Sequence, residues 1–119
     1  MNGRSTVEQV VDLYFEALNN NNAAVIPLAD DVVFAGPMLP EPITGEAAVR
    51  QYLADVTPFV ARMDRKLLVI EDDRAAVTLE FEGVNGVVIE GAEFFRIRDR
   101  KISFVQAFFD TRPLLKGST

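Results

Sequence analysis

Apolar side chains recur with a helical period near the start of the chain. Val7, Val11, Tyr14 and Leu18 fall on one face, and Glu8, Asp12, Glu16 and Asn19 on the other. Ser5-Thr6-Val7-Glu8 has capping-box spacing. The pattern predicts an amphipathic helix over about 6–19 with Tyr14 on its buried stripe. Asn19 to Asn22 predicts a turn, because Asn tolerates left-handed backbone and caps helix starts. A short helix is expected over Ala23 to Ala29, limited by Pro27, and then a short strand over Val32 to Ala35, ended by Gly36-Pro37. Prolines 37, 40 and 42 make the next stretch an irregular, fairly rigid loop. Thr44 is expected to cap a helix that buries Ala48, Val49, Tyr52, Leu53 and Val56. Thr57-Pro58 starts a further helical turn, and the helical half ends near Met63.

From Lys66 the period falls to two, which predicts four antiparallel strands at about 66–71, 74–83, 87–98 and 101–110. Asp72-Asp73, Asn85-Gly86 and Asp99-Arg100 mark the bends. Helices followed by a meander give an α+β fold with the helices on one face of a curved sheet, as a single domain over 1–119.

The third of these strands carries one carboxylate on an otherwise apolar face: Ile89, Gly91, Glu93, Phe95, Ile97. A carboxylate there either pairs, reaches water in a cavity, or stays protonated with a raised pKa. An edge position, or a bond to Arg96, Arg98 or the backbone, accounts for it equally well. Gly91 leaves space or a bulge on the same face. A two-residue turn at Asp99-Arg100 would set Glu93 opposite Gln106, and a three-residue turn would set it opposite Ala107. In the last strand Ile102, Phe104 and Phe108 alternate with Val105, Ala107 and Phe109, so both faces need cover. One face would take the helices and the other a second subunit, which points to a homodimer.

Twelve basic against eighteen acidic residues leave a net charge of −6, which disfavours nucleic acid as a partner. With no Cys and no His, disulfides, zinc fingers, Ser-His-Asp triads and Cys nucleophiles are excluded. Acid–base work falls to carboxylates, Tyr, Lys and Arg. No apolar run approaches the roughly 20 residues that span a bilayer, and no signal core is visible near Met1, so a cytoplasmic protein without a membrane partner is expected. Asp30-Asp31 and Asp72-Asp73 lack the alternating oxygen ligands of a calcium loop and read as turns and caps. Arg96, Arg98, Arg100 and Lys101 read as a solvated hairpin edge. No metal or cofactor is expected.

Three stretches carry a family resemblance: Val10-Val11-Asp12-Leu13-Tyr14-Phe15-Glu16-Ala17-Leu18-Asn19, Leu28-Ala29-Asp30-Asp31-Val32-Val33-Phe34, and Thr44-Gly45-Glu46-Ala47-Ala48-Val49-Arg50-Gln51-Tyr52-Leu53. With the order of elements, they resemble the SnoaL-like branch of the nuclear-transport-factor-2-like superfamily, which also holds ketosteroid isomerases and limonene-epoxide hydrolases. The resemblance implies a cone of helices and curved sheet around an apolar pocket, usually in a dimer. It matches Tyr14 to the isomerase tyrosine that donates to the substrate oxyanion, and Glu93 to the sheet acid kept protonated for the same purpose. It implies a lining that includes Phe34, Gly36, Phe95, Val105, Ala107 and Phe109, with Gln106 and Asp110 turned to the other face.

The departures from the family are equally specific. Gly36 stands where isomerases carry their base, Ala107 where cyclases and hydrolases carry an acid, and no Arg–Asp pair lies in Ala76 to Glu80. The expected function is therefore a pocket that binds a small apolar carbonyl or hydroxyl compound through Tyr14 and Glu93. A ketosteroid-isomerase-like proton transfer stands as the enzymatic form of that reading. A non-catalytic carrier or sensor and a dimerisation module are the alternatives, with epoxide hydrolase or polyketide cyclase chemistry behind them.

Overall fold

A computed structural model describes residues 3–113. Helix α1 (Gly3–Asn19) is followed by a single 3-10 turn (Ala23–Val25), β1 (Leu28–Ala35), β2 (Ile43–Thr44) and α2 (Glu46–Val56). A second 3-10 turn (Thr57–Phe59) leads to β3 (Val60–Glu71), β4 (Arg74–Gly83), β5 (Val88–Arg98) and β6 (Lys101–Phe109). The strands form one open sheet in the order β2-β1-β6-β5-β4-β3. Every pairing is antiparallel except β1 with β6. Both helices pack on one face, α1 over β3, β4 and β5, and α2 against β1. The fold is α+β, as the periodicities predict.

Helix α1 buries Val7, Val10, Val11, Tyr14, Phe15, Ala17 and Leu18 as a stripe at helical spacing. It starts at Gly3, so Ser5 lies inside the helix rather than at a cap. Its first turn carries no apolar residue that periodicity could register. At its far end Asn19 exchanges two hydrogen bonds with the Met63 backbone: its Nδ2 donates to the carbonyl at 2.9 Å, and its Oδ1 accepts from the N–H at 2.7 Å. Asn21 takes the left-handed conformation expected of the turn, at φ 52°.

Several boundaries differ from expectation, each for a local reason. The helix expected over Ala23 to Ala29 is one turn only, and Leu28 and Ala29 already belong to β1. A register shift between Leu28 and Val33 leaves Asp30 and Asp31 both exposed, which hides the period of two. Strand β3 begins at Val60, six residues before the alternation becomes readable. Irregularities at Val60/Arg62 and Arg65/Leu68 break its pattern. Thr44 pairs with Val33 in β2, and Gly45 occupies the α2 N-cap at φ 102°, a backbone conformation that suits glycine.

The last hairpin combines the two registers that had stood as alternatives. Asp99 and Arg100 form a two-residue turn with φ 54° and 62°. Arg98 pairs with Lys101 and Ile97 with Ile102, but Arg96 pairs with Phe104, so Ser103 is an extra residue in β6. Its hydroxyl donates to the Arg96 carbonyl at 3.1 Å. This bulge moves Ala107, not Gln106, opposite Glu93. It also turns Ile102, Val105 and Ala107 inward together.

Among the described residues, no helix is long and apolar enough to cross a membrane.

Candidate functional site

Tyr14 projects from α1 and Glu93 from β5 into the same interior, exposed by only 1% and 2%. The Tyr14 hydroxyl donates to Glu93 Oε2 at 3.3 Å. That is longer than the ~2.5–3.0 Å of a well-made O–H···O bond, so the contact is weak. Glu93 Oε1 is buried without a partner among the described residues. The strand neighbours of Glu93 on either side are Val77 and Ala107, both buried and apolar. The alternatives of an edge position or an arginine partner do not hold. Arg96 and Arg98 lie on the exposed face, and Arg98 pairs with Asp31.

These surroundings set the proton affinities. Burial raises the Glu93 carboxyl to about 8, and the Tyr14 hydrogen bond opposes the shift only partly. At neutral pH Glu93 is therefore mostly a neutral acid. Tyr14 is pushed well above its ordinary value by burial first and by the Glu93 charge second, so it stays a phenol. Its ring is set edge-on against Phe95 and Phe15, with centroids 5.1 and 5.2 Å away.

Tyr14 and Glu93 border a cavity of about 770 Å³, within the usual size range of small-molecule sites. Phe34, Gly36, Ala107 and Phe109 line it. Phe95 and Val105 do not. They pair with each other two residues further along β5 and β6, where α1 covers the sheet, and both are buried in packed core. Gln106 lies off the lining, and Asp110 is held at the strand end by Arg112 at 2.7 Å.

Sequence reasoning placed Tyr52 on the buried face of α2 but missed its part in the site. It borders the cavity, tilts against Phe34 at 5.2 Å, and is close enough to Glu93 for that charge to contribute to its raised pKa, after burial. A hydroxyl on an otherwise apolar helical stripe was the available signal. Met63 and Phe81 also line the cavity; the alternation of β4 turns Phe81 inward, whereas the place of Met63 was concealed by the irregular start of β3.

Gly36 and Ala107 meet in space. A Cβ on Gly36 would stand 3.6 Å from the Ala107 Cβ and 3.7 Å from the Phe34 ring. No carboxylate occupies either position, so Glu93 is the acid nearest the hydroxyl of Tyr14. The pair can offer two hydrogen bonds to one ligand oxygen, or pass one proton.

Residues 1–119 match the family described as a domain of unknown function, DUF4904. The chain belongs to that family. Solved structures place its fold among nuclear-transport-factor-2-like proteins. An epoxide hydrolase of the limonene-epoxide-hydrolase type from M. tuberculosis superposes with a TM-score of 0.82 at 18% identity, covering 95% of this chain and 89% of that one. A nuclear-transport-factor-2-like protein of unknown function from Mesorhizobium loti gives 0.80 at 16% identity, covering 89% and 92%. A candidate ketosteroid isomerase from Kribbella flavida gives 0.75 at 23% identity, covering 89% and 78%. At these identities the likeness concerns the fold. No curated protein matches the chain.

Proposed function

We propose that this protein binds a small apolar molecule through a single carbonyl or hydroxyl group, held by Tyr14 and Glu93 at the inner end of the cavity. The observation that carries this reading is the loose 3.3 Å contact beside an unpartnered Glu93 Oε1. A buried polar atom without a partner is costly. A ligand oxygen supplies that partner while the aromatic walls take up its apolar body. Neutral Glu93 donates to a ketone, and Tyr14 donates to the same oxygen. A ligand hydroxyl is served equally, because the carboxyl can also accept.

Proton transfer is the second reading, favoured by a Glu93 acidity of about 8, close to the range in which a side chain both takes and gives a proton. Gly36 and Ala107 favour binding without turnover, so a carrier or sensor comes first.

Calorimetry with a panel of apolar ketones and phenols, joined to a turnover assay on an unconjugated steroid ketone and small epoxides, tests both readings. Binding weakened at least roughly tenfold by Tyr14→Phe or Glu93→Gln supports the site, since a hydrogen bond to a buried polar group is worth about 1–3 kcal/mol. Turnover abolished by Glu93→Gln would make the protein an enzyme. Equal binding by parent and both variants would overturn the reading.

The outer sheet face supports assembly as a homodimer. Phe94, Phe104 and Phe108 are exposed there, Val69 and Ala76 lie in register with Phe94, and the Phe94 and Phe108 rings are 5.7 Å apart. A contiguous apolar patch of this kind fits a subunit contact. Sedimentation should show a dimer that Phe94→Arg with Phe108→Arg converts to monomer. A monomeric parent would remove the proposal.

A further inference from the structure

The cavity is one-sided in charge. Two carboxyl groups border it, Glu93 on β5 and Asp55 on α2, together with the phenols of Tyr14 and Tyr52, and no Lys or Arg does so among the described residues. The arginines nearest to it in the sequence are held elsewhere. Arg62, next to the lining residue Met63, bonds Glu80 and Glu82 at 2.9 and 3.2 Å. Arg112, next to Thr111, grips both oxygens of Asp110 at 2.8 and 2.7 Å. Arg50, on α2 itself, donates to the carbonyls of Ala23, Ala24 and Ile26 at 2.9, 3.1 and 3.0 Å. A ligand anion would therefore enter a chamber that offers it no countercharge, and charge removed from water without compensation is costly.

The two carboxyls differ in their access to water. Glu93 is 2% exposed, and its Oε1 has no partner among the described residues. Asp55 is exposed, and Gln51 donates to its Oδ1 at 2.8 Å. Phe59, four residues further on and also exposed, borders the cavity with it, which puts Asp55 at the mouth. Tyr52 connects the two ends. It stands near enough to Glu93 to feel that charge, and Asp55 follows it by three residues on the same face of α2, about 4.5 Å further along the axis.

We propose that the ligand belongs to the class of apolar amines: an uncharged hydroxyl or carbonyl oxygen meets Tyr14 and Glu93 at the inner end, and an ammonium group meets Asp55 at the mouth. Asp55 is then the residue that sets a preference for cations over anions. The inference rests on the Tyr14–Glu93 reading for the inner end and adds the outer contact. At the mouth the ammonium keeps part of its hydration while the apolar body is buried. An exposed ion pair is weak, so the gain over an uncharged analogue is roughly twofold to fivefold. A carboxylate at the same point is repelled, and attraction and repulsion together separate amine from acid by roughly tenfold.

Calorimetry at neutral pH with three naphthols tests this. They share one body and carry an aminoethyl, an ethyl or a carboxymethyl group on the ring away from the hydroxyl. The parent should bind them in that order of decreasing affinity, with a spread that narrows as salt is added. In Asp55→Asn the ratio of aminoethyl to ethyl affinity should fall to about one, and Asp55→Lys should place carboxymethyl ahead of aminoethyl. Asp55 is exposed, so both variants are expected to fold, which circular dichroism checks, and the ranking in the parent needs no variant. Carboxymethyl binding as tight as aminoethyl overturns the proposal, as does an aminoethyl advantage that Asp55→Asn leaves in place. The ethyl probe reads the inner end alone. If it weakens in Tyr14→Phe or Glu93→Gln while charge at the far end makes no difference, the inner site stands and the amine class falls. If Asp55 ranks the probes but the ethyl compound ignores both inner variants, the outer contact stands and the inner one falls. No binding by any of the three overturns both.

Discussion

Along the inward face of β5 and β6, Phe95, Ile97, Ile102 and Val105 are packed shut under α1, whereas Glu93, Ala107 and Phe109, on the same strands, border a cavity. Both stretches face inward, and Glu93 and Ala107 are as buried as the packed residues. They differ in side-chain volume and in what lies above. At the closed end branched and aromatic side chains meet Tyr14 and Phe15 from α1. At the open end a glycine at 36 and an alanine at 107 leave a gap that α2 borders but does not fill. Pattern decides which residues turn inward. Size and cover decide whether the space beyond them is core or chamber.

Truncation should separate the two ends most sharply. Phe95→Ala removes a ring from packed core and is expected to cost about 3–5 kcal/mol, while Phe109→Ala enlarges an existing void and should cost less than about half of that. Urea unfolding of both variants checks the contrast, and equal losses would mean that the chamber wall is as tightly packed as the core.

The second contrast is electrostatic and has a definite sign. Glu93 holds its proton more tightly folded than unfolded, so its contribution to stability is complete below its ordinary value of 4.5 and is lost as the pH rises through about 8. The slope is about 1.4 kcal/mol per pH unit between those limits, for a total on the order of a few kcal/mol. In Glu93→Gln this slope should vanish from denaturation midpoints measured across the interval. A parent whose stability is flat over the same range would show that Glu93 reaches bulk water.

The smallest effect concerns two glycines, Gly91 in β5 and Gly36 at the cavity wall. A Cβ on Gly91 would meet the Phe108 carbonyl and the Phe109 ring at 2.5 Å, so Gly91→Ala should cost about 1–3 kcal/mol. At Gly36 the same methyl finds ordinary contacts of 3.6 and 3.7 Å, and Gly36→Ala should be neutral or stabilising by about 0.4–1 kcal/mol. Thermal unfolding distinguishes the pair. Comparable losses would mean that the gap at Gly36 is no vacancy.

Much of this arrangement was legible in the sequence. The helical spacing of Val7, Val11, Tyr14 and Leu18 and the period of two in β4 and β5 identified the inward residues, because each depends only on local backbone geometry. The lone acid among Ile89, Gly91, Phe95 and Ile97 was visible on the same ground as an inward-facing carboxylate, but its partner was not. Short-range pattern failed where the backbone departs from regularity. The irregular starts of β1 and β3 concealed six or more strand residues, and Gly45 rather than Thr44 starts α2.

The chain by itself determined which face the side chains of α1, β4 and β5 take and that one carboxyl would fall on an otherwise apolar face. Only the tertiary structure decided that Tyr14 would meet it, since residues 79 positions apart are brought together by packing and not by period. It also decided, through one extra residue at Ser103, that Ala107 would stand opposite Glu93, and that Phe95 and Val105 would be sealed in core while Tyr52 reached the chamber. Periodicity is a property of neighbouring dihedral angles, whereas filled and empty space is a property of everything that converges on one point.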